Sequence, residues 1–190
     1  MEDNIFLKDE NQLSLKQYMN YHEGGRKNLG DSVPIAVYRM LEYSIREQLE
    51  EQFGKDVQKE VMRNAGYKAG VYFANNYLDL SLPRNQFLAE LQQRMEEMKI
   101  GVLRMEALDE ETGRLILTVA EDADCSGLPL LGETVCNYDE GFISGILSSY
   151  MGEQYEAVEI NCWATGDRVC RFQADIIERQ ENCGDDGSEL

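Results

Sequence analysis

Cys136, Glu159, Cys162 and Cys170 are the residues whose types and order read as a metal site, the last three within Glu159-Ile-Asn-Cys-Trp-Ala-Thr-Gly-Asp-Arg-Val-Cys170. Thiolates are soft donors, and three of them with one harder oxygen can close a tetrahedral shell around zinc. The same residues carry a second reading. Cysteine is among the most buried residue types even when it binds nothing, and a glutamate on a strand is commonly a solvated carboxylate. The spacing is not a pair of Cys-x-x-Cys knuckles, so both readings stay open. Filled by four protein ligands, such a site is closed and structural, because a zinc hydrolase needs an open position and a general base.

Little else in the chain points to catalysis. The single histidine, His22, lies in the polar stretch His22-Glu-Gly-Gly-Arg, and Cys125 and Cys183 have no histidine nearby in sequence to activate them. Gly66-Tyr-Lys-Ala-Gly70 falls inside a helical pattern, where it cannot cradle a phosphate, and there is no nucleotide-binding glycine fingerprint to supply a hydride donor. The expectation is a protein that is not an enzyme.

The elements that must position these residues follow from apolar periodicity. Ile35, Tyr38, Leu41, Ile45, Leu49 and Phe53 recur at helical steps up to Gly54, which predicts a helix with a glycine stop. Val61, Ala65, Ala69, Phe73 and Tyr77 mark a second helix over 57–77, in which Gly66 and Gly70 cost helix stability and so call for close packing. Asn85 is read as the cap of a third helix carrying Phe87, Leu88, Leu91, Met95 and Met98. Residues 102–108 and 114–120 flank Asp109-Glu-Glu-Thr-Gly113 as the arms of a hairpin. A last helix starts near Cys136 and ends by Gly152, and a second hairpin pairs 155–163 with 169–177. Cys162 and Cys170 then face each other across that hairpin, with Cys136 entering from the helix before it. Strand alternation sends residues three apart to opposite faces, so Glu159 and Cys162 share a face only if the strand bulges or bends. These elements make an α+β chain: an antiparallel sheet of about four strands, in two hairpins, packed with helices. The segment 1–30 is polar and glycine-punctuated and is read as a short strand or turn, 31–177 as the folded domain, and the acidic 178–190 as a flexible tail.

At 190 residues and 43% apolar composition the chain can bury one real core. Its 36 acidic against 18 basic residues give a net charge of -18, which repels phosphate backbones and anionic lipid headgroups. Neither a nucleic-acid partner nor membrane insertion is expected. The acidic N-terminus lacks the order of a signal peptide, so a cytoplasmic location with reduced thiols is expected for the five cysteines.

Gly66-Tyr-Lys-Ala-Gly70, Gly141-Phe-Ile-Ser-Gly145 and the segment Glu159 to Phe172 resemble the 4-vinyl reductase domain family, over roughly residues 30–177. The final segment, with its glutamate, cysteine, glycine turn, second cysteine and phenylalanine, is the most diagnostic. A related group, the phenol-sensing domains of bacterial sigma-54-dependent activators, is similar in carrying a structural zinc. That resemblance implies zinc on Cys136, Glu159, Cys162 and Cys170. It also implies a fold similar to nitric-oxide-signalling and Golgi-transport ligand-binding domains, often a homodimer, enclosing an apolar pocket. Tyr67, Val71, Tyr72, Phe73, Phe142, Ile146, Tyr155 and Trp163 are the pocket candidates here, although apolar residues at helical spacing are usually core. The implied function is a sensor for a small hydrophobic or aromatic ligand. The alternatives are a carrier or interaction protein that holds an acyl chain, and a component of a tetrapyrrole vinyl reductase.

Overall fold

The computed structural model describes residues 14–19 and 32–177. His22, Cys183 and the tail 178–190 lie outside the described residues. The elements are α1 (Leu15–Met19), α2 (Ile35–Phe53), α3 (Lys55–Tyr77), α4 (Arg84–Glu97), β1 (Val102–Leu108), β2 (Leu115–Ala120), α5 (Asn137–Met151), β3 (Tyr155–Asn161) and β4 (Cys170–Ile176). The four strands form one antiparallel sheet in the order β1-β2-β4-β3, so the two hairpins meet edge to edge through β2 and β4. The α+β architecture read from the sequence is therefore the one observed.

Alternation decides which face of the sheet is covered. Tyr155, Ala157 and Glu159 of β3 and Cys170, Phe172 and Ala174 of β4 are buried, whereas Glu156, Val158 and Ile160 between them are exposed. Helix α5 lies over that buried face. Its first turn holds Glu140, whose two oxygens join three elements: Oε2 accepts from Arg63 of α3 at 2.7 and 3.0 Å, and Oε1 accepts the N–H of Glu159 of β3 at 2.9 Å.

Helices α3 and α5 touch backbone to backbone. A Cβ on Gly66 would stand 1.9 Å from the Tyr138 carbonyl oxygen and one on Gly70 2.1 Å from that of Phe142, while Gly141 and Gly145 approach the Arg63 and Tyr67 carbonyl oxygens closely from the other side. The close packing expected for Gly66 and Gly70 is present, with a matching pair on the partner helix.

Two boundaries differ from the sequence reading. Helix α4 begins at Arg84, directly after Pro83 with its φ of -57°, so Asn85 lies inside the first turn and does not cap it. Strand β3 stops at Asn161, because Cys162 to Thr165 close a capping box and residues 163–165 form one 3₁₀ turn that ends at Gly166 with φ 101°. In the segment 1–30, residues Leu15–Met19 form a short helix instead of a strand or turn.

Candidate functional site

Four thiols converge where the loop after β2, the start of α5 and the terminal hairpin meet. Cys125 comes from the loop, Cys136 immediately precedes α5, Cys162 follows β3 and Cys170 opens β4. All are 0–1% exposed, and their sulfurs lie within 4.8 Å of one another. The Cys136 sulfur is 3.8 Å from that of Cys162 and 3.7 Å from that of Cys170, and Cys125 and Cys170 are 3.1 Å apart. Sulfurs at about 2.3 Å from a tetrahedral ion stand about 3.8 Å from each other, so this spacing suits one mononuclear ion. Four buried soft donors of this kind could hold a metal.

The surroundings fit a thiolate centre. The Ala164 N–H points at the Cys162 sulfur at 3.4 Å, and hydrogen bonds from the neighbouring thiols, Cys125 first, hold the Cys162 thiol well below its ordinary range. The same mutual bonds push Cys136 and Cys170 up. Three of the four residues read as ligands from the sequence, Cys136, Cys162 and Cys170, are thus together. The register of β3 does shift between Glu159 and Asn161, supplying the bulge that the sequence demanded, and both Glu159 and Cys162 are buried. The Glu159 carboxylate nevertheless turns to the backbone: its Oε2 accepts the N–H of Cys136 at 3.1 Å. Burial, then the adjacent Cys162, raises its pKa to about 8. The fourth sulfur is that of Cys125, which sits in an Asp- and Gly-rich loop with no spacing motif to mark it.

A cleft of about 730 Å³ opens on the other side of the α5 N-terminus. Its walls come from the start of α2, the turn after α4, the loop at 123–124 and Tyr138, Asp139 and Phe142 of α5. Phe142 is the pocket candidate that lines it. Phe73 packs its ring on Phe142 with centroids 5.2 Å apart, Ile146 is core, and the Tyr155 hydroxyl donates to the Gly113 carbonyl at 3.0 Å. Tyr67 and Val71 present backbone atoms to Gly145, and Tyr72 meets Tyr77 edge to face. Trp163 is 37% exposed in the 3₁₀ turn, its Nε1 donating to the Leu128 carbonyl at 2.9 Å.

Between cleft and thiols lies a group of buried carboxyls: Glu42, Asp122, Asp124 and Asp139. Burial raises all four, to about 7 for Glu42 and about 6 for Asp122, with the charge of Asp124 the next cause in both. Arg46 bonds Glu42 at 2.7 Å, and the Tyr38 hydroxyl donates to Asp124.

Helices over one face of a four-stranded antiparallel sheet, with a thiol cluster at its corner, define a fold shared with several ligand-binding domains. Within it, residues 115–176 match the 4-vinyl reductase (4VR) domain, so the chain carries such a domain in its C-terminal half. An uncharacterised protein of Methanocaldococcus jannaschii is 24% identical over 183 residues, covering 93% of this chain and 95% of the relative. The phenol-responsive sensory domain of the transcription activator PoxR, solved with phenol, is similar in structure with a TM-score of 0.60 at 16% identity, covering 78% of this chain and 77% of that one. A trafficking protein particle complex subunit 3 from Naegleria fowleri, covalently bound to palmitic acid, has a TM-score of 0.62 at 12% identity, covering 76% of this chain and 95% of that one. No helix among the described residues is long and apolar enough to cross a membrane.

Proposed function

We propose that this chain is a non-enzymatic sensor or regulatory domain that takes a small hydrophobic or aromatic molecule into the cleft beside α5, with one structural zinc ion on Cys125, Cys136, Cys162 and Cys170. The observation that carries the reading is the cleft itself. Its 730 Å³ falls within the range of about 300–1,000 Å³ typical of small-molecule sites, and its lining is mainly apolar with a few convergent polar groups. The phenol-responsive neighbour supports an aromatic ligand. Bound zinc would cross-link the loop after β2, the start of α5 and the terminal hairpin, and would fix one wall of the domain without taking part in chemistry. A ligand signals by favouring one conformation, and a homodimer in the cytoplasm is the assembly we propose to read it. The uncharged residues Val37, Met40, Leu41 and Ile45, exposed along α2, support the dimer.

Thermal unfolding of the full chain with phenol and with palmitate tests the reading. A ligand that binds only the folded state raises Tm with its concentration, and one that dilutes away supports a sensor. A fatty acid that survives purification supports the acyl carrier, and turnover with an added reductant and a vinyl tetrapyrrole supports the enzyme. No shift with any hydrophobic ligand would sink the ligand-binding reading.

A further inference from the structure

The cleft has two ends of opposite character. Val33, Ile35, Met98 and Phe142 give it an apolar wall, whereas Tyr38, Asp124, Tyr138 and Asp139 bring polar atoms to its inner end. Asp139 is 8% exposed and its Oδ2 has no hydrogen-bond partner among the described residues. Asp124 is 2% exposed; one of its oxygens accepts from the Tyr38 hydroxyl, and the other has no hydrogen bond among the described residues and faces the Arg46 guanidinium at 3.7 Å. Behind them Glu42 and Asp122 each bury a further oxygen without such a partner.

Donors are in short supply here. Arg46 is committed to Glu42 and to the Val135 carbonyl, and Arg39 spends its guanidinium on the carbonyls of Ala123 and Ser126. Among the described residues Lys99 is the one cation of the cleft lining, against Glu97, Asp124 and Asp139, and it is exposed at the rim. Buried acceptors left unmade are costly, so the inner end favours a group that brings donors and no lone pairs of its own. An ammonium offers three donors and no acceptor, a hydroxyl one donor with two lone pairs, and a carboxylate acceptors alone.

We infer that the cleft selects an amphiphilic amine, with its ammonium group against Asp139 and Asp124 and its apolar body along Val33, Ile35, Met98 and Phe142. This rests on the ligand-binding reading of the cleft and narrows it to a ligand class. A carboxylate ligand such as a fatty acid meets like charge at the inner end and is rejected.

Calorimetric titration of the full chain separates the two claims. The probes are 2-phenylethylamine, 2-phenylethanol, phenylacetate and phenol, in about 0.15 M salt so that the general field of an acidic chain is screened. The amine is expected to bind at least about tenfold more tightly than the alcohol, as charge-assisted hydrogen bonds require, with no binding of phenylacetate. Asp139→Asn is expected to bring amine and alcohol to within about threefold of each other while leaving alcohol binding in place. Equal binding of alcohol and amine, or an amine preference that Asp139→Asn leaves intact, overturns the inference while the ligand-binding reading stands. Binding of none of the four probes overturns both. The comparison on the unaltered chain decides the matter even if the variant fails to fold.

Discussion

Glu159 Oε2 accepts the backbone N–H of Cys136 at 3.1 Å, so this carboxylate grips the turn that presents one thiol while Cys125 completes the group of four sulfurs. Groups that orient ligands from outside the coordination shell typically change metal affinity by about 10–100-fold, whereas loss of a ligand from a closed shell removes the site. Protein purified without added metal is expected to carry one zinc per chain in both the natural chain and Glu159→Gln, and Cys125→Ser is expected to carry almost none. Elemental mass spectrometry gives the stoichiometry, and competition with a chromophoric chelator gives the affinity. Zinc lost from Glu159→Gln as completely as from Cys125→Ser would place the carboxylate in the shell.

Trp163, the only tryptophan, follows Cys162 directly and ties the 3₁₀ turn to the loop through the Leu128 carbonyl. Two of the four sulfurs, Cys125 and Cys162, sit on these two segments. Chelating the metal should therefore free both, and the indole, already 37% exposed, should become more so. A red shift in tryptophan emission on treatment with chelator, reversed by zinc, is the expected outcome, together with a fall in Tm because the binding free energy of a structural ion is folding free energy. An emission spectrum unmoved by full metal removal would mean that the hairpin is held by packing alone.

The helices and both hairpins are legible in the sequence because their signals are local: steps of three and four ending at Gly54 and Gly152, and alternation either side of the turn at 109–113. Three cysteines of the cluster are legible through the order of residues on the last hairpin. Cys125 is not, since it reaches the cluster through a loop whose path is set by tertiary contacts such as Ala123 N–H to the Ile100 carbonyl. The inner end of the cleft is illegible for the same reason. Tyr38 of α2 and Asp124 are 86 residues apart, and no periodicity connects them. Seven of the eight apolar pocket candidates follow helix and strand patterns that report burial, and a pattern of burial does not distinguish a filled core from a cavity wall.

The contact of α3 with α5 makes a sharp prediction for glycine substitution. A Cβ on Gly66 would need to stand 1.9 Å from a backbone oxygen, which no side-chain adjustment relieves. Gly66→Ala should destabilise the protein by roughly 3 kcal/mol or more, despite the better helix propensity of alanine, because the helices must separate. Ala65→Gly, one position away on an exposed part of the same helix, should cost only about 1 kcal/mol. Urea unfolding of both variants checks this, and a Gly66→Ala protein as stable as the natural chain would mean that the helices are not in backbone contact.

Glu42 predicts how stability depends on pH. Burial, reinforced by Asp124 and opposed by Arg46, raises its pKa from 4.5 to about 7. Between those values the folded protein holds a proton that the unfolded chain has released, so stability is greatest below the lower value and falls as pH rises through the upper one. Asp122, raised to about 6, and Asp124 and Asp139, also raised, act in the same direction. The free energy of unfolding should therefore decrease between about pH 5 and pH 7.5, opposite to the trend of a protein whose carboxylates sit in strong ion pairs. Glu42→Gln cannot titrate and should remove on the order of 2 kcal/mol of that decrease, leaving a flatter profile whatever the substitution costs in absolute stability. Urea midpoints for the two proteins across this range give the slopes, and identical slopes would show that Glu42 is ionised in the folded state throughout, paired fully by Arg46.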